Sequence, residues 1–316
     1  MSFSTPILLI AFNRPVTTAQ VFAVIKKLQP DQLFIALDGA RNQADQVLCA
    51  EVQKIIQAVD WVCDLHYLVQ EQNLGVKQAG PTAINWFFDQ VEEGIILEDD
   101  CLPDLSFFAY CAELLKHYRH DERVWHISGD HFHHHQIGSA TYYFSQIPHI
   151  WGWATWRRAW RHYDIAMPDF PSFASSQILN QLFPTYLSRL FWLDVFHKNY
   201  LGLDNGWDFQ WSYALMRHQA LAINPNTNLI SNIGFGAGAA HASQATSPHA
   251  NLPTQSISLP IRHPRLIIAD KQADEFIMRN NFGVTWHNFF LKHLLRRLGL
   301  FDLVKKLYHR FNLNSK

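Results

Sequence analysis

What most constrains the fold is a rhythm of short apolar runs. "PILLIAF" (6–12), "LFIALD" (33–38), "LHYLV" (65–69), "GIILE" (94–98) and "VWHIS" (124–128) recur at intervals of roughly 25–35 residues. Continuous apolar runs of this length suit strands covered on both faces. Between them the pattern changes to helical spacing. Val21, Val24, Ile25 and Leu28 follow Pro15, a second helical stretch runs to about Val59, a third covers "AINWFFDQV" (83–91), and a fourth spans about 105–118. Strands alternating with helices predict an α/β fold with a mostly parallel sheet flanked by helices. Ligands of such sheets bind outside the carboxyl ends of the strands. Those ends carry Asn13-Arg14, Asp38-Gly39, Glu98-Asp99-Asp100 and Ser128-Gly129-Asp130. Neither a GxGxxG after the first strand nor a Walker A sequence is present, so the dinucleotide and P-loop fingerprints are absent.

After about residue 150 the alternation fades. Residues 151–215 are Trp-rich and predicted partly helical, and 224–262 read as loops and short strands. The tail from Trp286 mixes Leu and Phe at helical spacing with Lys292, Arg296, Arg297, Lys305, Lys306 and Arg310 against the single acid Asp302. Such a basic amphipathic segment fits an anionic membrane surface, and it equally fits docking on the body or on a second subunit. The expected organisation is one domain over 1–262, with halves 1–130 and 131–262, and a C-terminal helical extension over 263–316. A net charge of −1 gives no reason to expect nucleic acid. Cys49, Cys63, Cys101 and Cys111 show no paired metal spacing and read as reduced thiols. The N-terminus has no basic n-region or cleavage site, and no apolar run reaches transmembrane length, so a cytoplasmic protein is expected.

Three consecutive acids after an apolar strand, "GIILEDD", pose a chemical question. Like charges repel, and desolvating them is costly unless they are compensated. Either they splay into water or they meet a cation. Oxygen-rich acidic clusters suit Mg²⁺ or Mn²⁺, which complete their shells with water and substrate phosphates.

The block "GIILEDDCLPDLSFFAYCAELLKHYRHDERVWHISGD" resembles the core of GT-A-fold (Rossmann-like) glycosyltransferases. It is most similar to the N-acetylglucosaminyltransferase I type and to bacterial nucleotide-diphospho-sugar transferases. Further points of similarity are "FNRP" (12–15), the strand-end Asp38, "NLGVKQAG" (73–80), "WGWATW" and "WDFQW" (207–211), so that the resemblance covers about residues 5–240. It implies a metal-dependent, inverting transfer of a sugar from a nucleotide-diphosphate donor to a hydroxyl acceptor, a glycan or glycolipid, in surface polysaccharide or glycolipid synthesis. By the same resemblance Asp100 ligates Mn²⁺ or Mg²⁺, and His241 is the best-placed second metal or diphosphate ligand. Asp99 meets the ribose or supports the metal, with Glu98 beside it. Asp38 meets the base, and Asn13, Arg14, Asn73 and Lys77 belong to the donor site. Asp208 is the candidate general base, with Asp204 as its rival, while Asp130, Trp151, Gly152 and Trp153 face the acceptor.

Other readings stand beside these. Trp151 and Trp153 stack on a sugar or pack in the core. "HFHHHQ" (131–136) reads as a solvated or acceptor-facing loop rather than a zinc site, because consecutive histidines point in different directions. Arg157, Arg158 and Arg161 bind an anionic acceptor or form a solvated helix face. The rival functions are a sugar nucleotidyltransferase, whose Gly-rich first loop "AFNRPVTT" lacks, and a non-catalytic carbohydrate-binding or scaffold protein.

Overall fold

The computed structural model describes residues 3–235, 249–291, 294, 298 and 299. The first half alternates as expected: β1 (Ile7–Ala11), α1 (Pro15–Leu28), β2 (Gln32–Leu37), α2 (Gln43–Ile56), β3 (Asp64–Val69), α3 (Val76–Phe88) and β4 (Glu93–Glu98). A short β5 (Cys101–Pro103), α4 (Leu105–Tyr118) and β6 (Val124–Ser128) follow. The second half adds β7 (Tyr142–Ser145), β8 (Trp153–Trp156), α5 (Arg157–Trp160), α6 (Phe170–Ser175), α7 (Ile178–Leu182) and α8 (Tyr186–Tyr200). It continues with α9 (Asp208–Arg217), β9 (Leu221–Pro225), β10 (Ile230–Asn232) and α10 (Lys271–Asn280).

Eight strands form one sheet in the order β3-β2-β1-β4-β8-β6-β9-β7. β1 to β4 pair in parallel, β8 runs antiparallel between β4 and β6, β9 is parallel to β6, and β7 closes the edge antiparallel to β9. The expected mostly parallel, helix-flanked α/β sheet is therefore the observed one. It runs through both halves of 1–262. Strand alternation distributes the apolar side chains between two helical layers. Ile7 and Leu9 of β1, Leu33 and Ile35 of β2 and Ile95 and Leu97 of β4 pack with α1, α2 and α4. Leu8, Phe34 and Ile96 pack on the other face with α3, α5 and α9.

Two findings depart from the expected layout. The Trp-rich stretch 151–215 is partly helical as expected, through α5 to α9, but it also supplies β8, a strand in the middle of the sheet. And α10, expected in a separate extension, packs on β7 and sends Ile277 and Met278 into a core with Trp192 and Phe196. The expected basic helical tail, with Lys292, Arg296, Arg297, Lys305, Lys306 and Arg310, lies outside the described residues. Among the described residues no helix is long and apolar enough to cross a membrane. None of the four cysteines is in a disulfide.

The tryptophans of the second half mostly fill the core. Trp153, Trp160, Trp207 and Trp211 are all buried in the layer under α3, α5 and α9. His126 of β6 is fully buried among them. Trp211 Nε1–H points at His126 Nδ1 at 3.1 Å, and His126 Nε2 lies 2.8 Å from the His149 carbonyl. An indole only donates, so Nδ1 accepts and Nε2 carries the proton. Burial pushes His126 down to about 3, against a small upward pull from the His149 carbonyl. The stability this neutral ring contributes is present above pH 6.5 and lost as pH falls through about 3. Nitrogen-15 NMR of labelled histidine should find His126 neutral and Nε2-protonated at pH 5. A titration near 6.5 would overturn the assignment.

Candidate active site at the carboxyl edge of the sheet

β4 ends at Glu98, and the chain turns through Asp99 and Asp100 into β5. β5 pairs with β10 in a separate two-stranded sheet, Cys101 opposite Asn232, and Ile233 N–H donates to the Asp100 carbonyl at 2.8 Å. That clamp fixes the acidic turn. Asp99 is 1% exposed and Asp100 8%, so these two acids do not splay into water. Arg14, at the entry to α1, meets both: Nη2 donates to Asp99 Oδ1, and Nη1 to Asp100 Oδ2 at 2.5 Å. Phe12 N–H adds a bond to Asp99 Oδ2 at 3.1 Å. Gly234 closes the other side, since a Cβ there would lie 2.1 Å from Asp100 Oδ2 and 3.0 Å from Arg14 Nη1.

One guanidinium does not balance this much negative charge. Burial and the neighbouring Asp100 push the half-buried Glu98 up to about 8, with Asp99 and Asp208 adding and Arg14 opposing. Burial also outweighs Arg14 at Asp99 and lifts it to about 6. For Arg14, burial works against the charge, yet Asp99, Asp100 and Glu98 hold it more firmly protonated than usual.

Asp208 belongs to this field. It opens α9, where a carboxylate suits the helix dipole, and burial raises it above its ordinary value of 3.8 with Asp204 adding. The two carboxylates face each other across Gly206, where a Cβ would lie 2.7 Å from Asp208 Oδ1 and 3.2 Å from Asp204 Oδ1. Lys77 of α3 donates to the Asp204 carbonyl at 3.0 Å, so it anchors the loop that carries the candidate base. Trp207 packs against Gly80 of the same helix, where a Cβ would meet its Nε1 at 2.8 Å.

Asp38 is occupied differently from a free base-binding acid. Its carboxylate accepts from Gly39 N–H at 2.9 Å, Asn73 Nδ2 at 2.8 Å, Leu74 N–H at 2.8 Å and Gly75 N–H at 3.1 Å. It thereby shapes the loop into α3, with Asn73 as its partner. Asn13 donates to Asp45 Oδ1 at 2.6 Å. Asp45 was not singled out from the sequence, yet it holds Arg41 through Nε at 2.6 Å and is drawn down to about 2, chiefly by that bond. Arg41 in turn lies over the Phe12 ring at 5.1 Å. The β1–α1 and β2–α2 loops are tied together through Asp45.

Asp130, just past the end of β6, is 1% exposed. Its Oδ2 accepts from Trp151 N–H at 3.3 Å, its Oδ1 has no hydrogen-bond partner among the described residues, and burial pushes its pKa well up. Trp151 is half-buried, in a group of rings with Phe132 and Phe235. Gly152 takes a left-handed φ of 66° and accepts from Gly129 N–H at 2.9 Å, bridging the ends of β6 and β8. Trp153 is corrected: at 1% exposure, stacked on His126 at 4.9 Å, its ring is a core element and cannot face an acceptor. Arg157 and Arg158 are also placed away from the site. Trp156 pairs with Glu93, the amino end of β4, so α5 begins on the opposite edge, where Arg157 holds Glu92 at 2.6 Å. His133 of the histidine run stacks on Phe276 at 4.6 Å, while His134 and His135 are exposed. His241 lies outside the described residues.

Among the described residues no group of three or more His, Cys, Asp or Glu side chains could hold a metal ion by itself. The donor chemistry nevertheless fits a hard divalent cation that takes one or two carboxylates here and the rest of its shell from water and phosphate. Glu98, Asp99 and Asp100 share Arg14 as the neighbouring guanidinium, Asp208 adds to the field at Glu98, and Glu98 and Asp99 are lifted above the usual carboxylate range. Asp100 is the more exposed of the two turn acids, and its Oδ2 is engaged by Arg14.

The sequence matches no protein-family model and no curated protein. Among solved structures the chain is similar to HddC from Yersinia pseudotuberculosis, at 10% identity and a TM-score of 0.31, over 50% of this chain and 80% of that one. It is also similar to the 4-diphosphocytidyl-2C-methyl-D-erythritolsynthase from Anaerococcus prevotii DSM 20548, at 7% identity and a TM-score of 0.33, over 55% and 77%. Likenesses this distant leave the reading of the site to its own geometry.

Proposed function

We propose that the protein is a glycosyltransferase that moves a sugar from a nucleotide-diphosphate donor to a hydroxyl acceptor with inversion, using Mn²⁺ or Mg²⁺. The observation that carries this reading is the pairing of an acidic, Arg14-linked turn at the end of β4 with a separate half-buried carboxylate, Asp208, close enough to raise Glu98. The first is a diphosphate site and the second a general base.

Asp100 would hold the cation, with Arg14 beside it to meet phosphate oxygens. Bound there, the ion supplies Lewis-acid stabilisation of the departing diphosphate. Asp208 takes the proton of the acceptor hydroxyl as that oxygen attacks the anomeric carbon. Its raised pKa brings its basicity closer to the operating pH, which favours this role. A single base without a protein nucleophile gives one displacement, hence inversion. Asp130 and Trp151 orient the acceptor, Trp151 offering a half-buried ring for stacking. Asp38 and Asn73 keep the loop into α3 in shape, and Lys77 keeps the base loop in register.

On this reading the acceptor is a glycan or glycolipid at the cytoplasmic face of a membrane. Trp286, Leu291 and Leu298 are each more than half exposed at the start of the basic tail, as a peripheral lipid contact requires.

A thermal-shift panel with UDP, GDP, CMP and dTDP, each with and without Mn²⁺, tests the reading. A ligand that binds only the native state stabilises it by about 2.7 kcal/mol at a hundred times its dissociation constant. One nucleotide should raise Tm only with Mn²⁺, and Asp100→Asn should abolish that rise. No shift with any of them would sink the proposal. Release of pyrophosphate from a nucleoside triphosphate and a sugar phosphate would replace it with nucleotidyl transfer.

A further inference from the structure

The best-formed interaction at the site is also one that stands in the way of its cofactor. Arg14 spans Asp99 and Asp100 with its two terminal nitrogens, and Gly234 packs against the same Asp100 oxygen. The other oxygen, Oδ1, faces the Cys101 thiol at 3.6 Å, deep under the turn. Among the described residues both Asp100 oxygens are therefore already in contact, Oδ2 with Arg14 and Oδ1 with the Cys101 thiol. Divalent ions of this class give up hydration water reluctantly and need a carboxylate they can approach.

We infer that Arg14 competes with the divalent cation for Asp100, so that the ion binds tightly only when a diphosphate is present to draw the guanidinium away. This rests on the diphosphate-site reading above and gives it an order: metal and nucleotide enter together. The physical basis is an exchange of partners. A planar guanidinium bonds two carboxylates and a diphosphate equally well, through the same paired N–H groups. When a diphosphate arrives, Arg14 transfers its Nη1 bond from Asp100 to a phosphate oxygen, and the freed carboxylate oxygen takes the ion. Without the phosphate, an ion at Asp100 has to displace a hydrogen-bonded, half-buried cation and then lie beside it. Gly234 is part of the device, because any side chain there would occupy the space through which Arg14 and Asp100 meet.

The test measures binding of Mn²⁺ alone, by the loss of the free-ion paramagnetic resonance signal, for the full chain and its variants. Arg14→Gln should bind Mn²⁺ about tenfold more tightly than the unmodified protein, the scale of one charge-assisted hydrogen bond. Arg14→Lys, which keeps the charge but loses the two-pronged geometry, should fall between them. Arg41→Gln removes a positive charge from the same edge, where Arg41 pairs with Asp45 rather than Asp100, and should leave Mn²⁺ affinity unchanged. Asp100→Asn combined with Arg14→Gln should cancel the gain.

Equal affinity of the unmodified protein and Arg14→Gln would overturn the inference, and so would an equal gain from Arg41→Gln, which would reduce the effect to net charge. Circular dichroism on each variant checks the fold. The nucleotide panel fails or succeeds separately. Manganese-dependent nucleotide binding with no gain in Arg14→Gln leaves the transferase reading standing and removes this inference. A tenfold gain with no nucleotide response would overturn both, since the exchange needs a diphosphate to draw Arg14 away.

Discussion

Asp208→Asn should lower turnover by about 10²–10⁴-fold, the range for loss of a positioned general base, while leaving metal-dependent nucleotide binding in place. The substitution keeps shape and removes only charge and proton affinity. Its structural cost should be small, since a carboxylate in the first turn of α9 contributes about 0.3–1 kcal/mol through the helix dipole. The pH profile carries the sharper signature. Burial and Asp204 hold Asp208 above 3.8, so the acidic limb of the rate should lie above that value and vanish in Asp208→Asn. Asp204 is the control, because the two carboxylates face each other across Gly206 and only one can be the base. If Asp208→Asn retains normal turnover and Asp204→Asn loses it, the roles are reversed. Steady-state kinetics on both variants, with the nucleotide thermal shift as the binding readout, decides between them.

The second large effect is on stability. Trp211→Ala should cost about 3–5 kcal/mol, as for other large core side chains cut to Ala. Trp211 is fully buried, with ring centroids 5.1 Å from Trp160 and 5.9 Å from Trp153, so little can collapse into the space it leaves. A domain has roughly 5–15 kcal/mol in all, so the variant should be marginal at 25 °C. Trp211→Phe separates the two parts of this cost. It retains much of the packing but removes the N–H, leaving His126 Nδ1 buried without a donor, at about 1–3 kcal/mol. Denaturant titrations of the three proteins give the comparison. A loss under about 1 kcal/mol in Trp211→Ala would contradict a packed tryptophan core.

These tryptophans also show where the sequence stops being informative. β1, β2, β4 and β6 are legible because both faces of each are covered, which forces an unbroken apolar run. β8 is covered on both faces too, but within "WGWATW" it starts directly after the left-handed Gly152 and changes to helix after four strand residues, so no period develops. Its aromatics suggest a sugar platform and a core equally well in sequence. The three-dimensional pairing with β4 and β6 is what places Trp153 inside and leaves Trp151 at the edge.

The site was legible to the same degree as its strands. Residues at strand ends could be gathered on one edge by topology alone, which brought Arg14 and the acidic turn together. The partners that neutralise them could not, because a hydrogen bond such as Arg14 to Asp100 joins positions separated by 86 in the chain. Asp45 escaped for a related reason. On a polar helix it looks like any exposed acid, although Asn42 three residues earlier has capping-box spacing and its side chain accepts from Asp45 N–H. The busy hydrogen bonding of Asp38 is likewise invisible in sequence, since three of its four donors are backbone groups.

Because β8 lies between β4 and β6, the acidic turn and Asp130 hang from strands two spacings apart, roughly 9–10 Å at the usual distance between neighbours. The antiparallel strand therefore acts as a gauge block. On the proposed transferase reading it sets the gap across which donor and acceptor would face each other, and no side-chain substitution in either loop can alter that gap. Selectivity for larger or smaller partners in a sheet of this order has to come from the loops above the gap, while its width is inherited from the backbone.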